Sequence, residues 1–372
     1  MDERLCSIAL SQISKISLHD LKHILDVAHS ASVLFENQTD IQAVVPDINP
    51  NAVNAFKLES QHALEIAKYE LDYAESKDIK VLNFFDVSYP DRLRECHDAP
   101  VVLFYLGNAN LNTCKVISIV GTRHCSQYGK DICRLFISDL QRYYPDVLIV
   151  SGLAYGIDIN AHKAALDSNM PTVGVLAHGM DRIYPALHRQ VASNMTNRGG
   201  LLTEYITGTT PERINFLRRN RIIAGMSDCT IVVESASHGG SLVTADLATS
   251  YHREVMAFPG RVYDKYSEGC NRLIIAQKAI AIQNAEDLIN AMCWENTLLN
   301  NKTNDGQMDL FVELSEDETK IIKILQECDD KQINSIVNDT GWNYSKVSSL
   351  LFELEMKGIV SITGGAHYRL VK

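Results

Sequence analysis

Several short stretches of this chain carry residue types whose spacing suits an anionic ligand. Gly121-Thr122-Arg123 follows the apolar run VISIV. Glycine allows close backbone approach, the threonine hydroxyl donates, and arginine offers a planar charged fork matched to phosphate. Ser151, Gly152 and Gly156 build a second donor-rich turn that closes on Asp158 at the predicted start of a helix. His162 lies four residues on, on the same helix face. No activated nucleophile accompanies this pair, so Asp158 and His162 read as orienting or structural groups rather than as acid and base. A third turn, AHGMDRIYP, is followed by His188. The spacing of His178, Asp181 and His188 fits no zinc or metalloprotease pattern, and no metal is expected. Tyr184 there either stacks on a base or packs under its loop.

Arg213, Arg218, Arg219 and Arg221 form the densest basic patch, with Asn215 and Asn220 as amide donors. Such a patch suits the phosphates of a single strand better than a small nucleotide pocket. Salt bridges to Glu204, Glu212 and Glu234 are the alternative use. Phe216 within the patch is a stacking platform or a core residue. Glu234 ends another apolar run, ahead of Gly239, Gly240, Ser241 and Thr244. A carboxylate over a glycine loop can grip a ribose or act as an acid. With Asp158 as a second carboxylate it would permit cleavage of an N-glycosidic bond. The glycines at 121, 129 and 152 are too far apart for a dinucleotide fingerprint.

These turns must be held by the elements before them. VISIV (116–120), VLIVS (147–151), TVGVL (172–176), GLLTEY (200–205), CTIVVES (229–235) and EVMAFP (254–259) read as buried strands. Helices are predicted at 127–142, 157–168 and 241–251. Strands apolar on both faces, alternating with helices, predict an α/β fold with an open parallel sheet and a ligand beyond the strand C-termini. IKVLNFFD and VVLFYLG begin this unit, which spans 78–295. Residues 1–77 have helical periodicity, interrupted by polar breaks at Glu36–Asp40 and Asn49–Asn54. This helical unit touches nucleic acid or serves as a dimer or scaffold element. Residues 296–311 read as a linker. Residues 312–372 read as three helices and a hairpin turning at Gly364-Gly365, the pattern of a winged helix. Glu353 and Glu355 offset Lys346 and Lys357 on its third helix, which favours protein interaction over DNA.

The chain has 372 residues and a net charge of -11. A polyanion site must therefore be a local basic patch. Nine scattered cysteines without a CxxC pair, and no secretory segment at the start, predict free thiols in a cytoplasmic protein. No apolar run approaches the ~20 residues that span a membrane, so no membrane insertion is expected.

Gly121-Thr122-Arg123, SGLAYGIDINAH, GMDRIYP, RRNRIIAG, VVESASHGGSLVTA, FPG and GCNRLI, in this order, closely resemble the bacterial DNA processing protein A family (DprA, also called Smf). The likeness covers roughly residues 80–285. It implies an extended Rossmann-like core, an N-terminal SAM-like helical domain and a C-terminal winged helix. It implies sequence-independent single-stranded DNA binding and loading of the RecA recombinase during natural transformation. It also implies a homodimer through the Rossmann-like domain, with no catalytic residue and no cofactor. Carried over by position, the family's phosphate-binding arginine falls on Arg123. Its RNR patch falls on Arg219, Asn220 and Arg221, and its second-turn glycines fall on Gly152 and Gly156. Two positions depart from the family. Leu217 stands where a proline is usual, which predicts a less rigid loop. Gly239 stands where a serine is usual, which removes a hydroxyl from the loop that carries Gly240 and Ser241.

Two other readings remain open from the sequence. One is a nucleotide-processing enzyme cleaving an N-glycosidic bond, although the GGxGTxxE signature of such proteins is absent. The other is a purely structural partner-binding protein, which leaves the arginines unexplained.

Overall fold

Alternate residues of the central strand β3 (Val116–Val120) enter different cores, and this sets the architecture. Val116 and Val120 belong to the cluster on one face of the sheet, Ile117 and Ile119 to the cluster on the other. A strand buried on both faces needs a helical layer on each. The computed structural model describes residues 1–36, 41–295, 314–326, 331–363 and 366–370.

The sheet has the order β1-β2-β6-β5-β4-β3-β7-β8-β9. Its other strands are β1 (Lys80–Asn83), β2 (Val102–Gly107), β4 (Leu148–Ser151), β5 (Thr172–Val175), β6 (Gly199–Thr203), β7 (Cys229–Val232), β8 (Glu254–Ala257) and β9 (Ile280–Ala281). From β6 to β9 every pairing is parallel. The parallel expectation needs one correction. β1 pairs antiparallel with β2, and β2 antiparallel with β6. The close approach at that seam requires glycine, since a Cβ on Gly107 would lie 2.1 Å from the Gly199 carbonyl oxygen. From β3 the chain winds out through β4, β5 and β6, then returns to place β7 on the other side of β3. The loops leaving β3 and β7 therefore diverge and open a crevice at the strand C-termini. Beneath it, Ser118 and Thr230 share a buried hydroxyl pair at 2.8 Å.

The N-terminal helices are α1 (Glu3–Gln12), α2 (Leu18–Ala28), α3 (Ala31–Glu36), α4 (Ile41–Val44) and α5 (Pro50–Ser76). They share one contiguous core with the first strands. The polar stretch Asn49–Asn54 is not a break. Asn49 caps α5, accepting from the Asn51 amide, and Pro50 opens the first turn, where its missing N–H costs nothing. Of the other expected break, residues 37–40 lie outside the described residues, as do the linker at 296–311 and the turn at Gly364-Gly365. In the sheet unit follow α6 (Asp91–Arg94), α7 (Gln127–Tyr143), α8 (Ile157–Asp167), α9 (Arg189–Met195), α10 (Arg213–Gly225), α11 (Gly240–Ser250), α12 (Glu268–Ile275) and α13 (Ala285–Ala291).

The C-terminal unit packs α14 (Glu316–Gln326), α15 (Ile333–Thr340) and α16 (Tyr344–Met356) around Ile321, Leu325, Ile336, Val347 and Leu351. Three short strands, β10 (Lys331–Gln332), β11 (Val360–Thr363) and β12 (His367–Leu370), pair antiparallel beside them. This unit meets the sheet at the end opposite the crevice. Asp228 lies 3.8 Å from the His367 ring and accepts from Arg92 at 2.5 Å and from the Val116 amide at 2.8 Å. Burial alone would push Asp228 up, but these groups outweigh it and hold its carboxyl below the usual range. The reading of all cysteines as free thiols also needs correction, because Cys114 is disulfide-bonded. Cys6, Cys96, Cys125, Cys133, Cys229, Cys270 and Cys293 are free. No helix among the described residues is long and apolar enough to cross a membrane.

Candidate nucleic-acid interface

A cavity of about 720 Å³ occupies the crevice beyond β3 and β7. Five elements build it: the turn after β3, the turn from β4 into α8 with Ala154 and Asp158, the loop from β7 into α11, one face of α10, and the segment Lys265-Tyr266. Gly121 is glycine for a packing reason, since a Cβ there would lie 2.3 Å from Ile157 Cγ1. The turn is fixed by the Thr122 amide donating to the Glu234 carbonyl at 2.7 Å. The Thr122 carbonyl in turn accepts from the Ile157 amide at 3.1 Å. Arg123 is thereby held exposed at the rim, with its guanidinium 5.0 Å from the Phe216 ring centre. Tyr184 faces the same ring at 5.8 Å.

Arg219 forms part of the floor and is 3% exposed. Its Nη1 donates to the Gly152 carbonyl at 2.7 Å and to the Val175 carbonyl, while its Nε has no partner. No carboxylate among the described residues forms an ion pair with it. Burial pushes the guanidinium down to about 10, and the nearby Asp158 only partly offsets this. Asp158 is itself buried, which raises its carboxyl despite Arg219 and the amide of Gly152, which donates to it at 3.2 Å. A desolvated cation held by neutral carbonyls is costly until an anion arrives. Arg123, Arg213 and Lys265 line the same cavity, and none of them has an ion-pair partner among the described residues. Asp158 is the one carboxylate in the lining.

The opposite wall is the start of α11. Its cap, Gly239, supplies no side-chain acceptor, so the first amides of the helix remain available to an anion. Ser241 Oγ donates to Ser235 Oγ at 2.9 Å, and a Cβ on Gly239 would lie 2.4 Å from that Ser235 oxygen. Gly239, the first glycine of this loop, therefore makes room for the hydroxyl pair.

The cavity thus gathers Gly121, Thr122, Arg123, Arg219, Asn220, Gly240 and Ser241 from the sequence-derived set. Others are placed differently. Ser151 is fully buried and donates to the Ile119 carbonyl at 2.6 Å, so its hydroxyl locks β4 to β3 instead of reaching a ligand. Gly152 lies under Arg219. Gly156, in the left-handed region at φ 79°, is pressed against the 121–123 turn, where a Cβ would lie 2.0 Å from the Thr122 carbonyl. Arg221 is a correction. Its guanidinium is buried, paired with Glu204 and donating to the Asp98 carbonyl, away from the cavity. Arg218 is exposed but stands outside the lining. The cause is the helix, which turns ~100° per residue and sends residues two apart to opposite sides. Leu217 belongs to this same helix, so the expected loop does not exist there. Leucine lets α10 run on from Arg213, where a proline would break it.

His162 does not pair with Asp158. Its Nδ1 is hydrogen-bonded to Thr172 Oγ1 at 2.7 Å inside the core, and that hydroxyl donates to the Ile149 carbonyl at 2.9 Å. Glu234 turns away from the cavity and holds Ser126, the N-cap of α7, accepting from the Ser126 amide at 2.9 Å and from Ser126 Oγ at 2.5 Å. His178 and His188 are likewise engaged by backbone groups, Gly179 and Leu153 respectively, both at 2.8 Å. Lys265 is the lining cation that sequence reasoning missed. Its signal was only a polar loop after the strand ending FPG.

Residues 80–293 match the family described as DNA recombination-mediator protein A. The chain is 40% identical over 192 residues to DNA processing protein DprA of Streptococcus pneumoniae, covering 52% of this chain and 67% of that protein. It is 34% identical over 290 residues to Protein Smf of Escherichia coli, covering 76% and 75%. Among solved structures it matches DNA processing protein A from Streptococcus pneumoniae with a TM-score of 0.65 at 31% identity, covering 77% and 97% of the two chains. It matches DNA processing protein A from Helicobacter pylori, a structure described by its single-stranded DNA binding mode, with a TM-score of 0.52 at 29% identity, covering 60% and 96%.

Proposed function

This chain belongs to the DNA recombination-mediator protein A family, and from that premise we propose that it binds single-stranded DNA without sequence preference in the cavity beyond β3 and β7. The observation that carries the reading is Arg219, buried at the cavity floor and, like Arg123, Arg213 and Lys265 above it, without an ion-pair partner among the described residues. Phosphates would be held by these four cations and the first amides of α11, and a base would lie on Phe216. Every base has a π-face, and phosphate contacts carry no sequence information, so such a site is sequence-tolerant. We further propose that the protein works as a homodimer through the sheet unit and delivers the coated strand to the RecA recombinase.

The nucleotide-cleaving alternative needs Glu234 in the cavity, and its carboxylate is used on α7 instead. The test is a binding titration with single-stranded and duplex DNA of equal length at two salt concentrations. Preference for the single strand, with affinity falling steeply as salt rises, supports the reading. Salt-independent binding, or none, sinks it. RecA nucleation on coated strands, with and without this protein, tests the mediator step.

A further inference from the structure

We propose that the cavity on the far side of Arg123 is a second nucleotide subsite, where a base stacks on Tyr155 and its phosphate sits between Arg123 and Lys130. This rests on the single-stranded DNA reading of the first cavity. The second cavity has a volume of about 510 Å³ and contains no carboxylate. Arg123 and His124 line both cavities, so the two share a rim. Gly156 brings this about, since its contact with the Thr122 carbonyl leaves no side chain between the two turns.

Tyr155 is 43% exposed, and it is not loose. The ring of His188 meets it in an edge arrangement at 5.0 Å and 71°, and that imidazole is buried and bonded to the Leu153 carbonyl. A tyrosine braced in this way keeps part of its surface open for a base. Lys130, exposed on α7, has no ion-pair partner among the described residues. Asn160 Nδ2 donates to the Gly156 carbonyl at 2.7 Å, which stiffens the wall between them. An arginine shared by two cavities, each with an aromatic ring and further cations, suits successive phosphates of one strand. A free mononucleotide would leave one of the two empty.

The experiment measures binding of fluorescent oligothymidylates of about four and about twelve nucleotides, lengths at the extremes of a single-strand site. Tyr155→Ala is expected to weaken the long oligonucleotide roughly five- to a hundred-fold while leaving the short one unchanged. Tyr155→Phe should behave as the unaltered protein. Lys130→Ala should reduce the salt slope for the long oligonucleotide by about 0.7. If both alanine variants bind the long oligonucleotide normally while Arg219→Ala binds neither length, the subsite is overturned and the main reading stands. Equal loss at both lengths in Tyr155→Ala, with Lys130→Ala unchanged, overturns it as well. If the unaltered protein binds neither oligonucleotide, the functional reading itself fails, and the subsite with it.

Discussion

Gly152 and Arg219 occupy complementary space. The glycine carbonyl accepts from the guanidinium at 2.7 Å, and a Cβ on residue 152 would lie 2.6 Å from Nη2. The absent side chain is what lets the arginine lie flat on the cavity floor. Gly152→Ala should push the guanidinium aside, costing ~1–3 kcal/mol by overpacking. It should weaken single-stranded DNA binding about as much as Arg219→Ala does. Urea melts and anisotropy titrations on the same preparations check both effects.

Arg219→Met separates function from stability. Replacing Arg219 by an apolar side chain of similar length relieves the cost of burying a cation that forms no ion pair among the described residues. We expect an unchanged or raised melting temperature together with at least about ten-fold weaker DNA binding. A clear fall in melting temperature would show that the charge is compensated within the fold.

Arg123 at the cavity rim and Arg221 on the far side of α10 should behave differently, although both fall on arginine positions of the family. Arg123→Ala should lower affinity roughly ten-fold at low salt and reduce the salt slope by about 0.7. Arg221→Ala should instead leave Glu204 buried and unpaired, and destabilise the fold by ~3–5 kcal/mol. Its folded fraction should bind DNA normally. Denaturation curves and binding isotherms distinguish the two.

Acid sensitivity should come in part from His162. Burial, with His188 and Arg219 nearby, pushes its imidazole down to about 3. The ring is therefore neutral in the folded chain while it protonates near 6.5 when unfolded. Its contribution is intact above that value and lost as pH falls towards 3, amounting to about 2 kcal/mol at pH 5. His162→Gln should remove that share of the pH dependence between pH 7.5 and 5 in urea unfolding.

Glu234→Ala tests the enzymatic alternative directly. Loss of the carboxylate that holds Ser126, the N-cap of α7, should cost ~1–3 kcal/mol. DNA affinity should stay the same, and no nucleobase should be released from nucleoside monophosphates by either protein. Release by the unaltered protein that the substitution abolishes would revive the cleavage reading.

Legibility followed the physics of each element. The predicted 127–142, 157–168 and 241–251 helices appear at Gln127–Tyr143, Ile157–Asp167 and Gly240–Ser250. Apolar periodicity bounded by serine or glycine turns is a local signal, and it survives folding. The break expected at Asn49–Asn54 is instead the start of α5, because polar residues also cap and open helices. An asparagine followed by proline is equally a helix start.

What the sequence determined by itself was the sheet and the turns at its strand ends. Strands apolar on both faces can be buried only between two layers, and glycines after them mark where a backbone must come close. What the tertiary structure alone decided was which charges face the ligand. Arg219 and Arg221 lie two residues apart in one basic run, yet the turn of α10 puts one on the cavity floor and the other in a buried pair with Glu204. Lys265 enters the same cavity from a loop distant in sequence. Side-chain direction on a helix, and the meeting of remote loops, depend on packing that no linear pattern contains.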